Sequence, residues 1–124
     1  MAAPNIINIA NVTAKTTTVV IANTTGSFSV LSNASASGQA YKVNTLLITN
    51  YAAVAANVAL NYYSAAALGG TATPLANNIT IPVGSTLVLL DKASSIYLEE
   101  DKSIGATGTV GNTLSVIVSY EILA

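Results

Sequence analysis

At 124 residues the chain has the length of one domain and can bury roughly two-thirds of the surface that its unfolded form exposes. Hydrophobic residues make up 52% of it but are interrupted throughout by Thr, Ser and Asn, so no stretch approaches the ~20 apolar residues of a membrane span. Four dispersed lysines without any Arg, in a chain of net charge −1, argue against a nucleic-acid partner, and the absence of Cys excludes a disulfide framework or a thiolate metal site. Only 7% of residues are charged, so surface solvation falls mostly to hydroxyl and amide groups. The amino terminus lacks the basic start and apolar core of a signal peptide, which predicts no export by the general secretory route. N-glycosylation patterns at Asn11, Asn23, Asn33 and Asn78 are of the kind that chance produces in a chain rich in Asn, Ser and Thr.

Taken in order, residues 1–12 read as an amino-terminal arm and first strand, with Ile6, Ile7 and Ile9 starting a β-like pattern, and residues 13–124 as the sandwich domain. The run 16–22 (TTTVVIA) is strongly β-branched, which disfavours helix and suits a pleated surface, and 23–26 turns the chain. Phe28 and Val30 suggest a short strand ending in a flexible-looking run, 32–39. Residues 41–50 form a firmer strand, with Tyr41, Val43 and Leu47 on one face, Lys42 and Asn44 on the other, and Leu46 and Ile48 implying burial on both sides. The Ala-rich stretch 51–68 has helical spacing at Tyr51, Val54, Val58 and Tyr62, but strict alternation over 54–63 accounts for more of its large residues and predicts a strand. Gly69, Gly70 and Pro74 mark 64–77 as a loop.

The stretch 79–101 (ITIPVGSTLVLLDKASSIYLEED) organises the second half: two strand-like runs hinged at Pro82 and Gly84. Its second run, 87–90, is apolar on both faces and reads as deeply buried; 96–98 is a brief strand, and Glu99, Glu100 and Asp101 return the chain to solvent. Gly105, Gly108 and Gly111 suggest a loose loop or hairpin. The carboxyl end is the cleanest signal, because Leu114, Val116, Val118, Tyr120 and Ile122 alternate with Ser115, Ile117, Ser119 and Glu121. The sum is an all-β, single-domain sandwich or jelly roll of about eight to ten short antiparallel strands.

Candidate chemistry is sparse. Asp91, Glu99, Glu100 and Asp101 are the carboxylates that a hard cation such as calcium would need, but their spacing fits no EF-hand and suits a solvated turn guarding a sheet edge better. The same acids offer no glycosidase cleft without aromatic platforms. Tyr62 and Tyr63 are the candidates for a weak sugar or partner contact, against the simpler arrangement of one packed Tyr beside an amphipathic neighbour. Without His, a Ser nucleophile lacks its usual base, and neither GxSxG nor SxxK occurs. The sequence therefore predicts a non-enzyme with no catalytic, cofactor-binding or metal residues.

Four segments, 38–50 (GQAYKVNTLLITN), the strand ending in NYY (61–63), 78–104 (NITIPVGSTLVLLDKASSIYLEEDKSI) and 114–123 (LSVIVSYEIL), appear in an order that resembles small β-rich structural proteins of tailed bacteriophages, particularly those of marine and cyanobacterial hosts. The likeness covers about two-thirds of the chain and is weakest over 1–37. It implies a virion component made in the host cytoplasm: a capsid decoration, or cement, protein that binds the major capsid protein or other virion proteins as a homo-oligomer. The alternatives are a neck, tail or baseplate accessory protein, or a jelly roll that binds host glycans. No cofactor, nucleic-acid or membrane partner is expected from the composition, and the resemblance transfers no site residues.

Overall fold

The computed structural model describes residues 10–21, 27–109 and 113–124. They form nine strands: β1 (Val12–Val20), β2 (Phe28–Asn33), β3 (Ala40–Asn50), β4 (Ala56–Ala65), β5 (Gly69–Ile81), β6 (Thr86–Leu90), β7 (Ile96–Leu98), β8 (Lys102–Gly108) and β9 (Leu114–Leu123). One sheet has the order β1-β9-β3-β6, with β7 also on β3, and the other β2-β8-β4-β5. The nested antiparallel pairs β1·β9, β2·β8, β3·β6 and β4·β5 are those of one long hairpin rolled across two sheets, which is the jelly-roll arrangement. The expected arm and its pattern at Ile6 to Ile9 lie outside the described residues, as do the turn at 23–26 and Gly111.

The core is built from alternate residues of both sheets. Leu46, Ile48, Leu114, Val116 and Val118 face Val58, Leu60, Ile81 and Ile104, all essentially without solvent contact. Complete burial of each such side chain contributes ~2 kcal/mol. β9 follows its alternation, with Ile122 only half-buried at the end.

Five local readings are corrected. In β3, a register shift between Val43 and Thr45 turns the second half over, so Leu46 and Ile48 join the core while Leu47 lies half-buried on the outer face. In β6, the apolar run forms a sheet edge and is not deeply buried; Leu87 and Leu89 pack inward and Val88 is 55% exposed. The expected loop at 64–77 is largely β5, in which Pro74 is tolerated because β5 is an edge strand.

Residues 102–108 are not a loose loop but the most thoroughly buried strand, β8, between β2 and β4. Its glycines make room: a Cβ on Gly105 would lie 2.7 Å from Leu68 Cδ2 and 3.0 Å from Tyr63 Cε1, and one on Gly108 would collide with Leu114 Cδ1. Finally, the run 32–39 is tied down. Asn33, fully buried, donates through Nδ2 to the carbonyls of Gln39 (2.9 Å) and Leu98 (3.1 Å) and accepts from Ser37 Oγ (2.6 Å).

Candidate interaction surface

The cross-strand register places side chains of the outer face of the first sheet in rows. One row is Val20, Ser115, Thr49 and Thr86; the next is Thr18, Ile117, Leu47 and Val88; a third is Thr16, Ser119 and Thr45. None of these residues is charged. The nearest charges come one row further toward the chain ends, where Lys42 pairs with Glu121 and Asn44 Nδ2 donates to Glu121 Oε1 at 3.0 Å.

The same division holds for the molecule. Its nine charged residues, four Lys and five Asp or Glu, all lie on the side of the Thr16–Ser119–Thr45 row that contains the start of β3 and the end of β9. Beyond that row the strands and the described parts of their loops carry none. Of the eight exposed large hydrophobic residues among the described ones, six (Val20, Tyr51, Val54, Val83, Val88 and Ile117) belong to the uncharged half. Charge and exposed apolar surface are thus segregated, as on an amphipathic element, which makes the uncharged half the candidate interaction surface.

The loops at the uncharged end are held by Asn50. Buried completely, it donates through Nδ2 to the carbonyls of Val54 and Ile81 (both 2.9 Å) and accepts from the Ala52 N–H at 2.9 Å. Its own backbone N–H donates to Ser85 O at 3.0 Å, and its carbonyl accepts from the Gly84 N–H at 2.9 Å. Gly84 adopts φ +72°, the left-handed region that this turn requires. The consequence is a fixed tip on which Tyr51, Val54 and Val83 are each more than half exposed.

The acids singled out from sequence serve the other end and do not converge. Asp91 caps a 3₁₀ turn at Lys92–Ser94, its Oδ1 accepting from the N–H groups of Ala93 (3.0 Å) and Ser94 (3.1 Å). Glu100, 5% exposed, accepts from the Gly38 N–H at 3.1 Å, and Asp101 accepts from the Ala66 N–H at 3.0 Å. Glu99 alone of the three remains exposed, so the expected return to solvent at 99–101 is only partial. No group of three or more metal-ligating side chains occurs among the described residues.

Tyr62 and Tyr63 point to opposite faces of β4. Tyr63 is buried under Leu68 and shares a 2.6 Å hydrogen bond with Ser27 Oγ; Tyr62 packs against the core with its hydroxyl 3.4 Å from Tyr97 O. They form no shared sugar platform. Burial, and then the Glu99 charge, push the Tyr62 phenol above its ordinary range, while burial and the neighbouring Tyr120 do the same to Tyr41.

The residues that matter most at this surface, Asn50 and the outer rows, were not singled out from sequence. An Asn at a strand end whose side chain accepts from the N–H two residues on is a turn signal, and that signal was available at Asn50.

No helix among the described residues is long and apolar enough to cross a membrane. No protein-family model matches the chain, and no curated protein matches it in sequence. Among solved structures, it is similar to a chain from Bacillus endospore appendages, described as a novel family of disulfide-linked pili, with 12% identity over 91% of this chain and 88% of that one and a TM-score of 0.55. A chain of infectious bursal disease virus, Gx strain, aligns with 90% of this chain and 40% of its own length at 10% identity and a TM-score of 0.29, too low to carry an argument. At 12% identity, what the chain shares with the appendage protein is a fold.

Proposed function

We propose that this chain is a non-enzymatic structural protein of a tailed-phage particle that decorates the capsid, with its uncharged half seated on the shell of the major capsid protein. The observation that carries the reading is the coincidence of the charge-free half with six of the eight large hydrophobic residues exposed among the described ones. Desolvating such a surface sacrifices no ion hydration, and the tip that leads it is held rigid by Asn50, so little ordering entropy is lost on docking. The resemblance of segments 38–50, 78–104 and 114–123 to phage structural proteins supports the placement on a virion, and the fold shared with a pilus subunit is compatible with a life in assemblies.

The test is the copy number of the protein in purified virions, by quantitative mass spectrometry against the major capsid protein. A number equal to the capsid protein or a simple fraction of it supports shell decoration. A number matching one ring or one set of fibres assigns it instead to the neck, tail or baseplate, and absence from the particle ends the virion reading. Val54→Lys and Val83→Lys, both at exposed tip positions, are expected to leave the fold intact while reducing particle occupancy at least about tenfold. Wild-type occupancy should change little between low and moderate salt, because no charge pair is made.

A further inference from the structure

The two sheets have four edges, and three are protected. β5 contains Pro74 and pairs with β4 through three register shifts; β2 is broken by a shift between Ser29 and Leu31; β6 and β7 are short and separated by the capped turn. β1 is different. Its nine residues pair with β9 in one unbroken register, contain neither Pro nor Gly, and carry a single charge, Lys15.

Which backbone groups face outward follows from the flanking bonds. The N–H of Ile21 donates to Leu114 O at 2.9 Å, and Asn11 exchanges bonds with Ala124, at 3.0 and 3.1 Å. With no shift between them, the odd-numbered residues of β1 bond to β9, and Val12, Ala14, Thr16, Thr18 and Val20 direct their N–H and C=O groups to the other edge, where no strand among the described residues pairs with them.

We infer that this edge pairs with β1 of a second copy, antiparallel about a two-fold axis through Thr16. An antiparallel partner must oppose outward residue to outward residue, and only the register centred on Thr16 engages all five. That register sets Val12 against the partner's Val20 at both ends, uniting the two exposed valines of the strand (57% and 42% exposed). Ala14 meets the partner's Thr18, and Thr16 meets its own equivalent. Lys15 falls opposite the partner's Thr17, so the two lysines are diagonal neighbours ~7–8 Å apart and not directly opposed, and their long side chains can splay into solvent. The complementarity is of the strand with itself, which is why a second copy is the occupant. The pairing joins two sheets into one and is independent of the capsid reading, because it is tested on the isolated chain.

The experiment is sedimentation of the full chain over a wide concentration range, combined with cysteine cross-linking, for which the absence of native Cys gives a clean background. The wild type is expected to pass from 12.5 kDa to twice that mass. Thr16→Lys, which sets two lysines against each other on the axis, should raise the concentration of half-dimerisation at least about tenfold. Thr18→Pro removes an outward N–H that β9 does not use, and should do the same with circular dichroism unchanged.

Under oxidation, Thr16→Cys should cross-link alone. Ala14→Cys should cross-link with Thr18→Cys in a mixture and neither alone, since directly opposed Cα atoms at ~5.5 Å suit a disulfide. A chain that stays monomeric at every concentration overturns the inference. So does a dimer indifferent to Thr16→Lys and Thr18→Pro, or cross-linking of Thr16→Cys no faster than that of Tyr97→Cys.

Discussion

At the charged end of the sandwich, Asn33, Glu100, Asp101 and Ser103 all direct their side chains at backbone groups of neighbouring loops, and of the exposed large hydrophobic residues described only Val12 and Tyr97 belong to that half. At the other end one residue, Asn50, gathers the 51–55 and 82–85 segments, and the surface left over is Tyr51, Val54 and Val83. Both ends use a fully buried Asn at the end of a strand to satisfy two carbonyls at once. They differ in what is outside. With only nine charged side chains, four Lys and five acids, placing three acids on loop N–H groups at one end leaves the opposite end to be finished with aliphatic and hydroxyl groups. That is the physical origin of the segregated surface.

The largest break in this comparison is Asn50→Ala. It strands the carbonyls of Val54 and Ile81 and the N–H of Ala52 away from water, which should cost about 3 kcal/mol in urea unfolding. Asn33→Ala should cost about 2 kcal/mol, since Ser37 can turn its hydroxyl to solvent. A cost below ~1 kcal/mol for Asn50→Ala would mean that the tip is held by its turns and not by the Asn.

Next in size is Gly108→Ala. The added methyl meets Leu114, a fully buried residue under the uncharged end, and overpacking there should cost roughly 1–3 kcal/mol. Gly105→Ala presses instead on the far ends of Leu68 and Tyr63 on the outer side of the second sheet, and should cost less. Equal losses at the two positions would show that the outer layer over β8 is as unyielding as the core.

How far the sequence revealed this arrangement depended on whether the signal was local. β9 was legible because a strand with one buried face alternates, and the Pro82 and Gly84 hinge because the two residues fall close together between two apolar alternating runs. β8 was not, since glycines read as loop unless Leu68, Tyr63 and Leu114 are known to press on them from elsewhere in the chain. The half-turn of β3 at Asn44 comes from a bulge that leaves no mark on composition. Asn33 and Asn50 are buried anchors, a role that nothing local in the sequence distinguishes from that of the chain's other asparagines, because their partners at Leu98 and Ile81 are distant in sequence. The segregation of charge was present in the order of residues but becomes visible only once strand register sets Lys42 opposite Glu121 and Lys15 one residue from that level.

A smaller effect tests how the charged end tolerates strain. Ala67 and Leu68 both adopt positive φ, 55° and 62°, in the turn between β4 and β5, held there by hydrogen bonds to Ser32 Oγ (3.0 Å) and Ser103 Oγ (2.9 Å). Ala67 is exposed, so Ala67→Gly relieves its backbone strain without opening a cavity, and should raise stability by about 0.5–1 kcal/mol. Leu68→Gly should not, because it also uncovers Tyr63 and Gly105.

The smallest effect is confined to alkaline solution and again divides the ends. Tyr41 and Tyr62, both in the charged half, have phenols raised chiefly by burial, so the folded protein holds their protons more tightly than the unfolded chain does. Their contribution is fully present below the ordinary phenol range near pH 10 and is lost as pH climbs through the raised values, because the unfolded state ionises first. Stability should therefore decline above about pH 10, and the decline should be shallower in a Tyr41→Phe, Tyr62→Phe double variant, read as the urea midpoint between pH 9 and 11.5. Glu99→Gln separates the two tyrosines: it should soften the alkaline decline only while Tyr62 is present, since Glu99 raises Tyr62 and has no part in the shift of Tyr41. If Glu99→Gln acts equally in the Tyr62→Phe background, the acid is working elsewhere, and the alkaline weakness belongs to burial alone.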